Sequence, residues 1–547
     1  MVTLRTLSAC AVETLRSSGP TSQPQACVNC VEGSGREMNG RITNSYNQRR
    51  LCTSGLLLFA ALLSGCTVGP DFVRPTSGLE QATLIPRVSY PDGTQIKAAD
   101  VPSNWWLLFD DPVLAELEAH AQTSSLTLQM ASMRIQEAQA QLGIVSSQLW
   151  PVIGAGGTYS RQALSENGRL AALGAPTDSS NYWQLGFNAS WEIDLWGRAR
   201  RANESAAASL EAATFEREAV RVSLTAEVAR AYLLLRQTQA QIGIAESNQE
   251  IATRVQALTE SRQRNGVATR FDVATARSQV AIIDAMLPEL LQRRNALMNT
   301  LALLLGEAPR TLDTALEEAL PLPSLPEAVP VGLPSELARR RPDIQRAEAQ
   351  LHAATAAIGV AKADFYPRIS LTGALGAESF EASDLIDWDS RAFSVGPTVY
   401  LPIFQGGRLT QRLALTEARQ KTAAISYRQT VLSAWHEVDN ALDAWVSQQR
   451  QHADLLIAYD QSRQALRAAE RGYEEGSADY LTVLIAQRNV LTSQTRLNSS
   501  STNVALALVN LYKSLGGGWA PGELALLSAS ADDTHLSAQE EIAGERP

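Results

Sequence analysis

The residue types that most often carry enzyme chemistry are few and scattered in this 547-residue chain. Cys27 and Cys30 have the spacing of a redox or zinc pair, but no second pair of that spacing follows. The five histidines are dispersed, and His436 precedes Glu437 without a second metal ligand at helical spacing. The chain has no His-Glu-x-x-His, Gly-x-Ser-x-Gly or phosphate-binding motif. We therefore predict that it is not an enzyme and needs no metal or dissociable cofactor.

Cys66 is the last cysteine of the chain, and the residues before it predict a covalent modification. Two arginines at 49–50 precede an apolar run at 56–63, and the run ends in Leu63-Ser64-Gly65-Cys66, which is typical of a lipobox. Cleavage before Cys66 would make it the first residue of the mature chain, carrying S-diacylglycerol and N-palmitoyl groups. We therefore expect residues 1–65 to be a signal peptide.

Neighbouring residues refine this prediction of an exported, acylated chain. Met38 would give a signal peptide of ordinary length, so we expect the start at Met1 to be over-long. Thr67 follows the cysteine at a position where aspartate often retains lipoproteins in the inner membrane, which favours sorting to the outer membrane. All five cysteines lie at or before position 66, so the mature protein has no pair to form a structural disulfide.

Four segments have the alternating pattern of strands with one apolar face. The clearest runs from Trp183 to Leu195, and a second runs from Phe393 to Ile403. Each has an upstream partner that begins at a proline, Pro151–Arg161 and Pro367–Gly376. Their lengths suit a membrane strand, which needs about 9–11 residues at barrel tilt. A sheet with one face in water would also produce this alternation.

Four strands are too few to close a barrel, because the smallest membrane barrels have about eight. An open sheet edge in lipid would leave backbone groups without hydrogen bonds, so the chain should oligomerise to complete the barrel. The glycine-rich stretch Gly154-Ala155-Gly156-Gly157 leads into Thr158 rather than into a helix, and we interpret it as part of a strand and not as a nucleotide-binding loop.

The remaining chain is dominated by a repeat at a constant offset of 210 residues, which indicates packed helices rather than loops. The matched residues are Glu227 and Glu437, Val228 and Val438, Gly266 and Gly476, Val273 and Val483, and Gly306 and Gly516. Leu224, Val228, Ala231 and Leu235 show coiled-coil spacing. We predict a helical hairpin over 197–265 and 270–305, and a second over 407–475 and onwards to 515, with reversals at Gly266 and Gly476.

These patterns divide the mature chain into two related parts. We predict a lipid-anchored N-terminus with the first repeat at 66–306, a Pro-rich linker at 307–334, the second repeat at 335–519 and a mobile polar tail at 520–547. The net charge of −10 is spread thinly, and nothing in the sequence suggests nucleic-acid binding. The predicted fold class is mainly α with membrane β.

Several motifs, in this order, resemble one family: the TolC-like outer-membrane factors, and within them the NodT-type efflux lipoproteins. The motifs are Cys66-Thr67-Val68-Gly69-Pro70-Asp71-Phe72 with Pro75, Trp105-Trp106 with Phe109-Asp110, Glu192-Ile193-Asp194-Leu195-Trp196-Gly197-Arg198, Arg340-Arg341-Pro342-Asp343-Ile344, Ala347-Glu348, Ile358-Gly359-Val360-Ala361 and Phe365-Tyr366-Pro367. The resemblance covers nearly all of the chain from Cys66 to Trp519.

This resemblance implies a homotrimer with a twelve-stranded β-barrel, to which each chain gives four strands, continuous with a periplasmic tunnel of coiled helices. It implies a passive outer-membrane channel of a tripartite efflux system that conducts small molecules to the exterior. The implied partners are a periplasmic adaptor of the membrane-fusion type, an inner-membrane pump of the RND type and outer-membrane lipid. The implied location is the outer membrane, with the tunnel in the periplasm.

The resemblance places the functional residues at the ends of the two hairpins, where the tunnel closes and the adaptor binds. The residues implied to lie at the tips are Gly266, Val267, Arg270, Asp272, Gly476, Asp479 and Tyr480. Leu481 and Ile485 are implied to form the pore constriction. Many relatives carry an acidic residue at the position of Ile485, so this chain departs from the pattern and should have an apolar gate.

Two other functions use the same features. A type I secretion outlet would have the same architecture and export proteins, and the lipobox favours efflux over it only weakly. A lipid-anchored coiled-coil scaffold would need the helices but not the alternating strands.

Overall fold

The computed structural model describes residues 67–76, 95–97, 100–326, 328–331 and 340–520. Cys66, the predicted signal peptide 1–65 and all but the first residue of the predicted tail 520–547 lie outside the described residues. In the described part of the chain, no helix is both long enough and apolar enough to cross a membrane.

Two pairs of long helices dominate the described residues. In chain order the helices are α1 (Pro112–Ser124), α2 (Leu126–Ser146), α3 (Arg169–Ala172), α4 (Arg198–Arg264), α5 (Arg270–Leu305), α6 (Asp313–Leu316), α7 (Pro342–Ala363), α8 (Arg408–Glu474) and α9 (Tyr480–Ser514). Helices α4 and α8 have 67 residues each, which corresponds to about 100 Å at the rise of an α-helix. The predicted hairpins agree with these bounds to within one residue at each helix end.

Six strands form two sheets in the described residues. They are β1 (Gln95–Lys97), β2 (Val152–Gln162), β3 (Ser180–Ile193), β4 (Ala328–Pro330), β5 (Arg368–Ser379) and β6 (Arg391–Tyr400). The larger sheet is antiparallel in the order β2-β3-β5-β6, and β1 pairs with β4 in parallel. The four predicted strands are therefore present and belong to one sheet.

Two of these strands end earlier than the alternating pattern predicted, for local reasons. Strand β3 stops at Ile193 because the Asp194 carboxylate turns to accept hydrogen bonds from the amides of Ala199 (3.1 Å) and Arg200 (2.9 Å), at the start of α4. Strand β6 stops at Tyr400, shortly before the chain turns into α8 at Gly406 and Gly407, which have positive φ values.

An aromatic core packs the segment before α1 against both copies of the repeat. Trp105, Phe109 and Tyr512 are fully buried, and the Trp105 ring stacks on the Tyr512 ring with their centroids 5.5 Å apart. The buried Tyr232 on α4 donates to the Asp111 carboxylate at 2.7 Å. Tyr232 belongs to the first hairpin and Tyr512 to the second, so this core packs one copy of the repeat against the other.

Candidate channel entrance and membrane sheet

Both hairpin tips have the same backbone geometry. Gly266 and Gly476 have φ values of 76° and 74°, and a Cβ atom at either position would meet nothing within 4 Å. Both are glycine because of the positive φ and not because of crowding. The Val267 amide donates to the Arg262 carbonyl at 2.9 Å, and the Ser477 amide closes the second tip in the same way.

The two returning helices are capped by the same two residue types in reversed order. The N-cap of α5 is Thr269, whose hydroxyl accepts from the Asp272 amide at 3.2 Å, while the Asp272 carboxylate accepts from the Thr269 amide at 2.7 Å. The N-cap of α9 is Asp479, whose carboxylate accepts from both the amide and the hydroxyl of Thr482, at 2.9 and 2.6 Å. Each tip therefore carries one carboxylate that also caps a helix.

Two carboxylates near the tips, Asp479 and Glu260, have pKa values below their ordinary range. The bonds from the hydroxyl and the amide of Thr482 lower the pKa of Asp479. On the first hairpin, Gln256 and then Arg277 lower the pKa of Glu260, and the Arg277 guanidinium lies 2.9 Å from the Glu260 carboxylate. The bonds by which Asp479 caps its helix therefore also favour its charged form.

An aromatic and cationic contact joins the two tips. The Arg262 guanidinium of the first hairpin lies 4.2 Å from the ring centroid of Tyr473 in the second. The Tyr473 ring lies 6.0 Å from the ring of Tyr480, and burial raises the pKa of the Tyr480 hydroxyl, which faces Thr259 of the first hairpin. The two hairpins of one chain are therefore joined at their free ends.

Sequence reasoning named Tyr480 but missed Arg262 and Tyr473. The repeat gave a signal for these two residues, because each breaks the match between the copies. The 210-residue offset matches Arg262 with Gly472 and Gln263 with Tyr473. The contact therefore uses one large side chain from each copy at positions where the other copy has a different residue type.

The two predicted constriction residues lie one turn apart on α9. Leu481 is 46% exposed and Ile485 is 54% exposed, whereas Val483, on another face of the helix, is buried. Leu481 and Ile485 therefore form a short apolar stripe near the start of the helix. Val267 and Arg270, at the first tip, are also exposed and available for contact.

The four-stranded sheet has one apolar and one polar face. The exposed apolar side chains that share a face are Ile153, Tyr159, Leu185, Phe187, Leu371, Leu375, Phe393, Val395 and Val399. On the opposite face, Gln184, Asn188 and Ser394 line a cavity of about 410 Å³. Exposed apolar residues on the face away from the cavity are what a barrel presents to lipid.

Residues 67–76, which come after Cys66 in the chain, pack beside the end of β3. The Val68 amide donates to the Trp196 carbonyl at 3.1 Å, and Asp71 lies 2.5 Å from the buried Arg201 guanidinium of α4. The Phe72 ring stacks on the His352 ring of α7 at 4.4 Å. This arm holds residue 67 beside the junction between the sheet and the first long helix.

The antiparallel sheet with one apolar face, continued by helical hairpins of about 100 Å, defines the class of protein: an outer-membrane channel subunit with a long helical extension. A family model described as "Outer membrane efflux protein" matches residues 119–307 and 333–517. The chain belongs to the outer membrane efflux protein family.

Characterised proteins similar to this chain have the same role. The chain is 35% identical to the pyoverdine export outer membrane protein OpmQ of Pseudomonas putida over 86% of this chain and 98% of that protein. It is 31% identical to the toluene efflux pump outer membrane protein TtgI of Pseudomonas putida over 85% of this chain and 98% of that protein.

The solved structures that are similar to this chain are also outer-membrane proteins. The outer-membrane channel OprN superposes with a TM-score of 0.76 at 34% identity, over 83% of this chain and 100% of that one. The outer membrane protein VceC of Vibrio cholerae gives a TM-score of 0.71 at 30% identity, over 77% and 100%. The predictions of an outer-membrane efflux channel, and of a protein that is not an enzyme, are confirmed.

Proposed function

We propose that three copies of this chain close a twelve-stranded barrel in the outer membrane and continue it as a helical tunnel into the periplasm. The observation that carries the proposal is the open sheet, whose outer strands β2 and β6 have one unpaired edge each among the described residues. Because the four strands alternate in direction, β6 of one copy would pair antiparallel with β2 of the next. Closure of this kind satisfies every backbone group in lipid.

The hairpin tips are the entrance of this tunnel and the surface for a periplasmic adaptor. The tip residues proposed for adaptor contact, all exposed except the half-buried Asp272 and Tyr480, are Gly266, Val267, Arg270, Asp272, Gly476, Asp479 and Tyr480. The stripe of Leu481 and Ile485 would face its symmetry mates and close the pore without charge. The contact between Arg262 and Tyr473 supports a closed state, because it ties the two hairpins of each chain together.

The lipid anchor is a further part of the proposal. The arm at 67–76 would place Cys66, with its S-diacylglycerol and N-palmitoyl groups, beside the Trp196 end of the sheet, where a strand leaves the membrane. Trp150 is 72% exposed at the neighbouring start of β2, as expected of an aromatic residue at a membrane interface. The mass of the N-terminal peptide, with and without Cys66→Ala, tests the acylation.

The assembled channel is proposed to receive small molecules from an inner-membrane pump of the RND type through the adaptor. OpmQ is named for pyoverdine export and TtgI for toluene efflux, so relatives of similar identity serve very different cargo. The domain division into 66–306, 307–334 and 335–519 remains part of this proposal.

The test is retention of a panel of small dyes and drugs in a strain that lacks this chain, compared with the same strain after the gene is restored. We expect retention to rise on deletion and to fall again with the intact gene, but not with a gene whose tip at 476–482 is removed. Heat-sensitive migration of the purified tip variant as an oligomer is the control for assembly. Unchanged retention together with a protein lost from the medium would replace efflux by type I secretion.

A further inference from the structure

The polar face of the sheet contains two adjacent rows of different character. Thr158, Gln184 and Glu378 lie side by side on β2, β3 and β5. The next row towards the helices, two residues along each strand, is Gly156, Gly186, Gly376 and, on β6, Ala392. Because these four residues are small, they leave room for the cavity of about 410 Å³. The row of Thr158, Gln184 and Glu378 forms the outer rim of that cavity.

Close packing of the backbone requires two of these small residues. A Cβ atom added to Gly376 would lie 2.3 Å from the Leu185 carbonyl oxygen, and one added to Gly186 would lie 2.8 Å from the Gly376 Cα. Glycine at such a contact marks a sharp bend of the sheet. The recess is therefore part of the curvature, and the rim above it has a fixed position.

Glu378 is the acidic residue of this rim. Its carboxylate is exposed and accepts a hydrogen bond from the Tyr182 hydroxyl at 2.6 Å, and the Tyr182 ring is in turn held against Phe380, 5.9 Å away. Within the described ranges, no arginine, lysine or histidine lies at ion-pair distance from Glu378. The carboxylate is positioned by a neutral donor.

The other charged residues of the polar face are paired. The Glu192 carboxylate lies 2.9 Å from Arg198, and the Arg368 guanidinium lies 2.7 Å from Asp364. Both pairs lie at the end of the sheet that joins the helices. Glu378 lies at the opposite end, because β5 runs on to the loop that begins at Phe380.

We propose that Glu378 sets the charge selectivity of the outer part of the channel, so that three copies form a ring of carboxylates that favours cations over anions. This inference rests on the proposed trimeric barrel. A ring of fixed carboxylates around a water-filled lumen concentrates cations and repels anions. Tyr182 is a positioning residue, because it acts by orienting the carboxylate. At the other end, the stripe of Leu481 and Ile485 is apolar, but each tip beside it also carries one carboxylate.

The experiment is the reversal potential of full-length trimers in planar bilayers under a tenfold KCl gradient. We expect Glu378→Gln to lower the ratio of K⁺ to Cl⁻ permeability by about twofold to fivefold, and Glu378→Lys to lower it further. Tyr182→Phe should lower the ratio less than Glu378→Gln does, at unchanged unit conductance. The matched control is Glu381→Gln, which removes one exposed loop carboxylate three residues away and should leave the ratio unchanged.

The outcomes separate this inference from the proposal on which it rests. Channels of wild-type conductance in which Glu378→Gln leaves the permeability ratio unchanged would overturn the inference alone. An equal fall with Glu381→Gln would also overturn it, because the loop carboxylates and not the rim would then set the selectivity. A wild-type protein that forms no channels would overturn the trimeric pore and the ring together.

Discussion

The two long helices α4 and α8 have the same length and the same place in the repeat, but their environments differ. Each has 67 residues, and α4 buries 24 of them whereas α8 buries nine. Helix α4 packs against α2, α5, α7 and α9, while α8 packs mainly against α7 and α9. The repeat therefore specifies the same elements twice and gives one of them a core position and the other a surface position.

This difference in burial indicates that another protein surface would cover the exposed face of α8. Exposed apolar residues on α8 include Leu456 and Ile457, which are 52% and 63% exposed. The 210-residue offset matches them with Glu246 and Ser247 on α4, which are polar. An apolar pair in water on one copy and polar residues on the other is what an interface between subunits would produce.

The largest effect, on assembly, should come from giving positions 456 and 457 the residue types found at the matching positions of the first copy. We expect Leu456→Glu with Ile457→Ser to prevent stable assembly, because a charge would be buried between subunits. The fraction of trimer, measured by mass in detergent and by heat-sensitive migration, should fall about tenfold.

The control for this change is the reverse exchange on the first copy. Glu246→Leu with Ser247→Ile should leave the fraction of trimer unchanged, because both residues lie on α4 and not on the exposed face of α8. If the Leu456 and Ile457 double variant assembles as well as the wild type, then the exposed face of α8 is not a subunit interface.

The second effect concerns the apolar stripe of the second tip. We expect Leu481→Ser with Ile485→Ser to increase resting conductance in bilayers several-fold, because two apolar side chains per subunit would no longer exclude water. Phe271→Ser, at the first-copy position that matches Leu481, is the control and should have the smaller effect. Unchanged conductance of the double variant would remove both residues from the gate.

The elements of this fold could be predicted from sequence to a much greater degree than their contacts. Alternation gave the four strands, and the offset of Gly266 and Gly476 gave both hairpins, because these signals are local and periodic. The joining of Arg262 to Tyr473 was not predicted, since it depends on how two distant hairpins lie side by side. The greater burial of α4 than of α8 was not predicted for the same reason. Two helices with the same sequence period can have different numbers of neighbouring helices.

A third prediction uses Glu118, a carboxyl buried on α1. Its side chain has no exposed surface, neither oxygen has a hydrogen-bond partner of standard geometry among the described residues, and burial raises its pKa well above the ordinary value, although the nearby Ala229 amide offsets part of the rise. Below about pH 4 the carboxyl is protonated in both the folded and unfolded states. Above that, the folded state holds a proton that the unfolded state releases, so stability falls as pH rises towards the raised pKa.

We therefore expect the melting temperature of Glu118→Gln, relative to wild type, to increase between pH 4 and pH 8. The measurement is thermal unfolding of the purified protein at both pH values, and Glu474→Gln, an exposed residue near the end of α8, is the control. A difference between Glu118→Gln and wild type that stays constant across the range would show that the carboxyl is ionised in the folded protein.

The smallest expected effect is a difference in stability between the two helix caps at the tips. Asp479→Ala removes the acceptor of both bonds from Thr482, whereas Thr269→Ala leaves the Asp272 carboxylate bonded to the backbone amide at position 269. Asp479→Ala should therefore weaken its helix start more than Thr269→Ala weakens the other.

Hydrogen exchange at the amides of 480–483 and 270–273 measures this difference directly, because the tips are the ends of their hairpins and open locally. We expect Asp479→Ala to speed exchange at its own tip more than Thr269→Ala does at the other. The reverse order would mean that the hydroxyl and not the carboxylate holds each helix start. In that case the reversed order of threonine and aspartate in the two copies would reflect the placement of charge at the entrance rather than helix stability.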